Sequence, residues 1–363
     1  MTRGFIFAGG GTGGHLYPAL AIHEQLKLIE PGAGVRYLCS DRPLDAELLS
    51  AEHVDFQPLP AKPIALRPRG LMRFLNSWGP SVRAARAAIR EMNKTHDRVD
   101  LVAMGGFVAA PAAQAARVEK IPVTLVNLDA VPGKANRIIA RRAGTIVSAA
   151  PTDRDWQQVP PIVRQKAICN DDPADCRRSF GLDPHTKTLL ITGGSQGARS
   201  INEFMRALLN EQPQLFDGWQ VIHQTGQGAE GESAFANAGV GAFVAPFIDQ
   251  IGRAWRAADL AISRSGAGSV ADAWVSATPT IFMPYPYHRD QHQKLNAEPL
   301  RTIGGAIVVD DLIEPPANLT SAGRHIARLM QGAGARSDMG VKLGELGPAD
   351  GAGRIARMLI GAG

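Results

Sequence analysis

Short apolar runs of three to seven residues alternate with longer stretches of helical periodicity along most of the chain. Gly4 to Ala8 is the first run, and after a glycine-rich segment a helical pattern extends from Ala19 to Ile29. Val35 to Cys39 and the Asp45 to Ala51 pattern repeat the pair. Val99 to Met104 and Pro122 to Leu128 are two further runs, the second followed by a basic helical segment from Lys134 to Arg142. Runs this uniformly apolar fit strands covered on both faces, and strands that alternate with helices through Ser148 fit a parallel, doubly wound sheet. Residues 151–188 carry Pro, Asp and Arg with little apolar periodicity and read as a linker. The pattern then restarts. Leu189 to Thr192 leads into a second glycine-rich segment and a helix from Ser200 to Leu209; more runs begin at Val221 and lie at Phe243 to Pro246, Leu260 to Ile262 and Thr280 to Met283. Arg354 to Ile360 suits a closing helix that returns to the first domain. The expectation is an α/β chain of two Rossmann-like, doubly wound domains, residues 1–163 and 164–345, with a C-terminal helical segment over 346–363.

Composition agrees with two domains. A chain of 363 residues, 45% apolar and 20% charged, is too long for one typical core and shows no low-complexity tract. The formal charge of +5 is uneven: residues 1–163 hold 20 Lys and Arg against 14 Asp and Glu, a balance of +6, which leaves −1 for residues 164–363. That asymmetry suits anionic lipid or a phosphorylated substrate, and the interleaved aromatic and basic pattern of a nucleic-acid surface is missing. Between Pro60 and Pro80 a proline-broken segment mixes Leu71, Met72, Phe74, Leu75 and Trp78 with Arg67, Arg69 and Arg73, and Arg83, Arg86 and Arg90 continue the basic face. It reads either as a packed helix with a solvated Arg face or as a patch that rests on anionic lipid. The three cysteines, Cys39, Cys169 and Cys176, have neither disulfide-framework nor zinc-site spacing and fit a reducing cytoplasm. Met1 to Ala8 reads as a first strand and not a signal peptide, and no run reaches the roughly 18 apolar residues of a spanning helix, so membrane association is expected to be peripheral.

Three glycine-rich turns carry the candidate chemistry. Gly9 to Gly14, Gly193 to Ala198 and Gly266 to Gly268 each follow an apolar run and precede a helical pattern, the arrangement in which backbone N–H groups at a helix start meet an anion. No Lys-Ser/Thr follows the first turn, so it is not a Walker A loop, and it fits the dinucleotide spacing only because it is so rich in glycine. His15 is the titratable group of that turn and a candidate general base. In the third, Asp272 stands one turn into the helix, placed for ribose hydroxyls, and Gln293 and Asn296 offer amides suited to sugar hydroxyls. An ordinary strand, turn and helix would show any one of these signals; four within Ser263 to Asn296 favour a nucleotide-sugar pocket. Two such halves are expected to bind ligands in a cleft between them.

With these stretches in hand, the chain resembles the MurG family of peptidoglycan glycosyltransferases, glycosyltransferase family 28. The likeness rests on Gly10-Gly-Thr-Gly-Gly-His-Leu-Tyr-Pro-Ala, Met104-Gly-Gly-Phe-Val-Ala-Ala-Pro, Gly193-Gly-Ser-Gln-Gly-Ala-Arg, His223-Gln-Thr-Gly, Phe247-Ile-Asp, Arg264-Ser-Gly-Ala-Gly-Ser-Val-Ala-Asp and Gln293 to Ala297, in that order over nearly the whole length. It implies the GT-B architecture and transfer of N-acetylglucosamine from UDP-GlcNAc to lipid I, the lipid-linked muramyl-pentapeptide, at the cytoplasmic face of the plasma membrane, in concert with other cell-wall proteins. UDP-GlcNAc is then substrate, with no cofactor. The resemblance puts the donor in the C-terminal half. Ile248 would meet uracil through its backbone; Ala267, Gly268, Ser269, Val270, Ala271 and Asp272 would hold the nucleotide; Gln293 would read the sugar, and Ser195 would meet the diphosphate. Thr12, Gly13 and Gly14 would face the same region, with His15 as base or Asp129 in its stead, and Arg164 as a further donor contact. The chain departs from the family where Val126-Asn-Leu-Asp replaces His-Glu-Gln-Asn, where Pro160-Pro-Ile-Val-Arg replaces Gly-Asn-Pro-x-Arg, where Asp272 replaces Glu, and in a sugar loop one residue longer.

Inverting transfer without a metal follows from the same reading, since Asp153-Arg-Asp155, the one Asp-x-Asp match, lies far along the chain from the donor turn. The alternatives are a GT-B glycolipid glycosyltransferase with another lipid acceptor and a non-catalytic nucleotide-sugar-binding scaffold.

Overall fold

The computed structural model describes residues 2–11, 13–64, 67–194, 197–227 and 232–361. Its contacts divide the chain into two compact units, Met1–Arg164 with Asp350–Gly363, and Gln165–Ala349. The first contains β1 (Arg3–Ala8), α1 (Gly13–Ile29), β2 (Gly34–Ser40), α2 (Pro43–Ala51), β3 (Phe56–Leu59), α3 (Pro68–Met92), β4 (Arg98–Ala103), α4 (Gly106–Val118), β5 (Val123–Asn127), α5 (Lys134–Ala140), β6 (Thr145–Ser148) and β7 (Gln157–Gln158). The second contains α6 (Pro173–Ser179), β8 (Lys187–Thr192), α7 (Arg199–Glu211), β9 (Trp219–Gln224), α8 (Glu232–Asn237), β10 (Ala242–Ala245), α9 (Ile251–Ala257), β11 (Leu260–Ser263), α10 (Ala267–Ser276), β12 (Thr280–Phe282), α11 (His292–Asn296), α12 (Glu298–Thr302), β13 (Ala306–Val308), α13 (Pro315–Gln331) and α14 (Ala333–Gly344). The last helix, α15 (Gly351–Ile360), belongs to the first unit and packs on α1.

Both sheets are parallel throughout. The first has the order β3-β2-β1-β4-β5-β6-β7, the second β10-β9-β8-β11-β12-β13. The order reverses direction between β1 and β4 in one and between β8 and β11 in the other, so the loops leaving those neighbours diverge and open a crevice at the strands' carboxyl ends. Ala8 is level with Leu38 and Ala103, and Thr192 with Gln224 and Ser263, which brings the glycine-rich loops to that edge.

Period-two side chains build a core on each face of the second sheet. Leu189, Ile191, Val221, Leu260 and Ile262 pack with α7 and α13, whereas Leu190, Ile222, Ala261 and Phe282 pack with Trp255 of α9 and Ala273 of α10. In the first unit Ile6, Ala8, Leu101 and Ala103 face the alanine-rich side of α4 and the Ala85 to Met92 end of α3.

Several elements differ from the sequence expectation. α1 starts at Gly13, six residues before the expected Ala19, and runs through Pro18; α3 is one helix from Pro68 through Pro80, although the stretch before Pro80 was expected to be broken by proline. Each proline forfeits one helical bond, to the carbonyl of Gly14 or Asn76, and both of those residues are exposed to water that satisfies the freed oxygen. The expected linker is partly structured: β7, a 3-10 turn at Gln165–Ala167 and α6 lie inside it, and Arg164 is buried.

Candidate active site

In the first unit the β1–α1 loop is held open by a carboxylate from another element. Asp45 of α2, wholly buried, accepts hydrogen bonds through Oδ2 from the Gly11 N–H (2.7 Å), the Ser40 N–H (3.0 Å) and the Ser40 hydroxyl (2.6 Å). A Cβ at Gly10 would fall 2.4 Å from that oxygen, so the loop's glycine is required by the carboxylate and not by flexibility alone. Arg42 donates to the Gly11 carbonyl at 2.6 Å and lies over the Phe107 ring.

Gly13, Gly14 and His15 form the first turn of α1 rather than a loop before it. The His15 ring is backed by the β4–α4 turn, where Gly105 and Gly106 have φ of +99° and +75°, and a Cβ at Gly106 would stand 3.2 Å from the imidazole. Burial lowers the His15 pKa below its ordinary 6.5, and the nearby Asp129 and Asp45 carboxylates only partly oppose this. Nδ1 is buried without a well-formed hydrogen bond, the Gly10 carbonyl exerting only a weak pull that favours the proton. The imidazole is therefore neutral at neutral pH and able to take a proton. Asp129 is fixed through its backbone: Asn127 donates to the Asp129 carbonyl (2.7 Å) and to Ser148 (2.9 Å), and accepts from Asn136 (3.0 Å). Asp45 and Asn136 were not identified from sequence, because each acts through a fold contact with no local motif; Gly106 and Asn127 lie in stretches the sequence marked, with no role assigned to them.

Arg164 sits elsewhere in the unit. Its guanidinium donates to Glu24 of α1 and to Glu52 at 2.6–2.8 Å, and it is only 8% exposed. Glu24 is nine residues along α1 from His15, about 13 Å by helical rise. The donor role expected for Arg164 thus meets a guanidinium already engaged by two carboxylates.

In the second unit, four loops gather around the β8/β11 reversal. Gly197, with φ +72°, leaves no room for a side chain: a Cβ would be 2.2 Å from the Thr225 carbonyl oxygen. Gln224, at the end of β9, ties the loops together by donating to the Gly194 carbonyl (2.8 Å) and accepting from the Ile248 N–H (2.9 Å). The backbone of Ile248 therefore keeps only its carbonyl for a base. Ala267 opens α10 with Gly266 as its cap, and the first helical bond is Val270 N–H to the Gly266 carbonyl, so the amides of Ala267, Gly268 and Ser269 precede the hydrogen-bonded ladder. A Cβ at Gly266 or Gly268 would meet nothing within 4 Å, and one at Gly194 would come within 3.9 Å only of the Ser269 hydroxyl. This combination of bare amides and open space beside a second glycine turn is an anion site in form.

Asp272 stands one turn further in. Burial pushes its carboxyl up to about 7. The Gln293 amide oxygen accepts from the Tyr285 N–H (2.8 Å) and Asn296 donates to the Ser265 carbonyl (3.4 Å), which fastens α11 to the ends of β11 and β12. Beneath the turn, Arg264 reaches the Met283 carbonyl, Ser200 and Asp311, each at 2.7 Å. Burial works against the Asp311 charge, but hydrogen bonds from Ser200, Asn318 and the Ile313 N–H, with the Arg264 charge, hold it ionised. Of the residues read from sequence, Ile248, Ala267 to Asp272 and Gln293 lie on these loops and helix starts of the second unit; His15, Gly13, Gly14 and Asp129 gather in the first; Thr12 and Ser195 fall outside the described residues.

Residues 5–148 match the glycosyltransferase family 28 N-terminal domain, and residues 188–339 match the glycosyltransferase family 28 C-terminal domain. The chain belongs to glycosyltransferase family 28. Among its relatives, a UDP-N-acetylglucosamine--N-acetylmuramyl-(pentapeptide) pyrophosphoryl-undecaprenol N-acetylglucosamine transferase from Nocardioides sp. is 33% identical, the match covering 99% of this chain and 98% of that protein. The protein of the same name from Streptomyces avermitilis is 33% identical over 84% of each. The crystal structure of Acinetobacter baumannii MurG covers 99% of both chains at 26% identity with a TM-score of 0.73. CalG4, the calicheamicin glycosyltransferase, is 16% identical with a TM-score of 0.65 and shares the fold alone. Family 28 membership and these neighbours establish the two-domain α/β GT-B fold.

Proposed function

We propose that this chain transfers N-acetylglucosamine from UDP-GlcNAc to the C4 hydroxyl of the muramyl sugar of lipid I, with inversion and without a metal. The relatives that match it over most of its length carry the name of that transferase. The single observation that carries the reading in the structure is the start of α10: three amides ahead of the helical ladder, glycines with open space above them, and the Gly194 turn alongside.

Chemically, the anomeric carbon exchanges its bond to the diphosphate oxygen for a bond to the acceptor oxygen, and two groups must be served. The departing UDP gains negative charge, which the amides of Ala267 to Ser269 and the positive end of the α10 dipole receive without reorganising. The acceptor hydroxyl loses its proton, and neutral His15 takes it. Asp272 accepts from the ribose hydroxyls, the Ile248 carbonyl faces the base, and the Gln293 amide N–H₂ donates to the sugar, its oxygen being held by Tyr285.

The protein acts as a peripheral enzyme on the cytoplasmic face of the membrane. Among the described residues no helix is long and apolar enough to cross one. Leu71, Met72 and Leu75 of α3 are exposed, beside Arg67, Arg69 and Arg73, and this face is the proposed lipid contact.

The test is transfer of radiolabelled N-acetylglucosamine from UDP-GlcNAc into a lipid I analogue, with diacylglycerol as the competing acceptor and EDTA in a parallel reaction. Labelled lipid II in both buffers is the expected result. Labelling of diacylglycerol alone would overturn the acceptor, and activity lost in EDTA and restored by a divalent cation would overturn the metal-free mechanism.

A further inference from the structure

Cys169 and Cys176 lie outside everything the transfer uses, yet their sulfurs are 3.5 Å apart. Three features make this approach a built one. The intervening turn is gripped by α9, where Arg253 donates to the Asp171 carboxylate (2.6 Å) and Arg256 to the Asp171 carbonyl (3.0 Å). Asp172 caps α6, its side chain accepting from the Ala174 N–H at 2.8 Å, which orients the first turn that carries Cys176. Gly252 of α9 packs so closely on the preceding 3-10 turn that a Cβ would be 2.6 Å from the Ala167 carbonyl oxygen.

The two thiols are unequal in access. Cys176 is wholly buried in the core shared with Ile248 and Trp255, whereas Cys169 is partly exposed. We infer that Cys169 and Cys176 form a site of reversible oxidation by small disulfides, Cys169 being the solvent-accessible thiol that attacks the disulfide and Cys176 the thiol that resolves the mixed disulfide. In the first step the Cys169 sulfur, as thiolate, attacks one sulfur of the small disulfide and releases one small thiol. In the second the Cys176 sulfur, having lost its proton, attacks the Cys169 sulfur of the mixed disulfide and releases the other. The protein loses two electrons and two protons, and the small disulfide is reduced to two thiols. The sulfurs have to close by about 1.5 Å to reach bonding distance. Burial, and then the neighbouring Cys169, push the Cys176 thiol up to about 12, so the second step is the slow one.

A metal is the competing use of the same atoms, since Cys169, Asp171 and Cys176 bring one ligand atom each to within 4.8 Å of one another. Asp171 is already paired with Arg253, whose positive charge opposes a second cation there. That leaves two sulfurs, which favours dithiol chemistry. Cys39, buried in the first unit with its thiol also raised to about 12, is an internal control.

The whole chain is equilibrated in buffers of increasing oxidised-to-reduced glutathione ratio, quenched with acid, alkylated in denaturant and mapped by peptide mass. The expected result is loss of alkylation at Cys169 and Cys176 together, a linked peptide lighter by two hydrogens, and Cys39 alkylated throughout. Cys176→Ala is expected to leave Cys169 as a lasting glutathione adduct, and Cys169→Ala to leave Cys176 unmodified. Should Cys176→Ala fail to fold, the wild-type map alone decides. Both thiols still alkylated at the most oxidising ratio would overturn the inference, as would a persistent adduct at Cys169 in the wild type or one equivalent of retained zinc that shields both sulfurs. Because no readout involves transfer, failure here is distinct from failure of the proposed function.

Discussion

His15 has the one property a base at neutral pH needs: its proton has already been driven off by burial, against the pull of two carboxylates. Removing it as His15→Ala is expected to lower kcat by about 10²-fold or more with UDP-GlcNAc affinity unchanged. A variant that keeps the wild-type rate would transfer the role to Asp129. In the wild type, because the pKa is lowered, the acid limb of kcat/KM belongs below pH 6.5. Asp272 carries the opposite perturbation. Its carboxyl, raised to about 7, is half protonated in neutral solution, and only the ionised form accepts from two ribose hydroxyls. Between pH 6 and 8 its ionised fraction rises about tenfold, so calorimetry should show UDP-GlcNAc, whose phosphodiester charges are constant there, binding up to about tenfold tighter at pH 8. Asp272→Asn should flatten the dependence; an unchanged slope would remove Asp272 from the ribose. Both residues were legible because each stands within a few positions of a glycine turn. Asp45 was not: its carboxylate organises the Gly11 loop from 34 residues away, and nothing near Asp45 in sequence marks it. The same holds for Asp311, which only the β12–β13 crossover brings to Arg264 of the third glycine turn.

At the scale of elements, the glycines separate into those the fold needs and those it does not. Gly197 is pressed against a carbonyl at positive φ, whereas Gly268 opens α10 with nothing above it. Gly197→Ala is therefore expected to lower unfolding stability by about 3 kcal/mol, through strain and the shifted Thr225 carbonyl, and to weaken the donor site with it. Gly268→Ala should melt like the wild type and still lose UDP-GlcNAc affinity by about tenfold, because the methyl group occupies the space proposed for the diphosphate. Denaturant melts beside calorimetry distinguish the two, and unaltered affinity in Gly268→Ala would locate the diphosphate elsewhere. Strands inside the sheets were read well from the sequence because burial on both faces makes them plain apolar runs, whereas the edge strands β3, β7 and β13 went unread. Helix ends were read less well. A helix beginning after Pro18 is the sequence expectation, yet Pro18, like Pro80, is tolerated inside its helix, each four residues after an exposed residue. α13 went unread although Ala322, Ile326, Leu329 and Met330 lie on one buried face of it.

For the whole molecule, the uneven charge found in the sequence coincides with an uneven surface. The unit with the excess of Lys and Arg is also the one whose α3 exposes Leu71, Met72 and Leu75, while the C-terminal half of α3 is spent on the core through Ala85, Ala88, Ile89 and Met92. One helix thus divides its work: the end that packs was legible as periodicity, and the end that does not looked the same until exposure distinguished them. Cations beside exposed apolar side chains attract anionic lipid at about 1 kcal/mol each, so Arg67, Arg69 and Arg73 together contribute about 3 kcal/mol, or roughly a hundredfold in partitioning. Co-sedimentation with phosphatidylglycerol vesicles should therefore fall about a hundredfold on replacing all three with Ala, and should weaken with rising salt as the surface potential is screened. Leu71→Gln with Leu75→Gln should reduce binding to the same vesicles while leaving that salt dependence intact, since it removes insertion and not charge. Transfer to a water-soluble acceptor analogue should be unaffected in both variants, because α3 lies outside the loops assigned to the chemistry. Equal binding of wild type and triple variant would sink the lipid contact and leave α3 as a solvated helix.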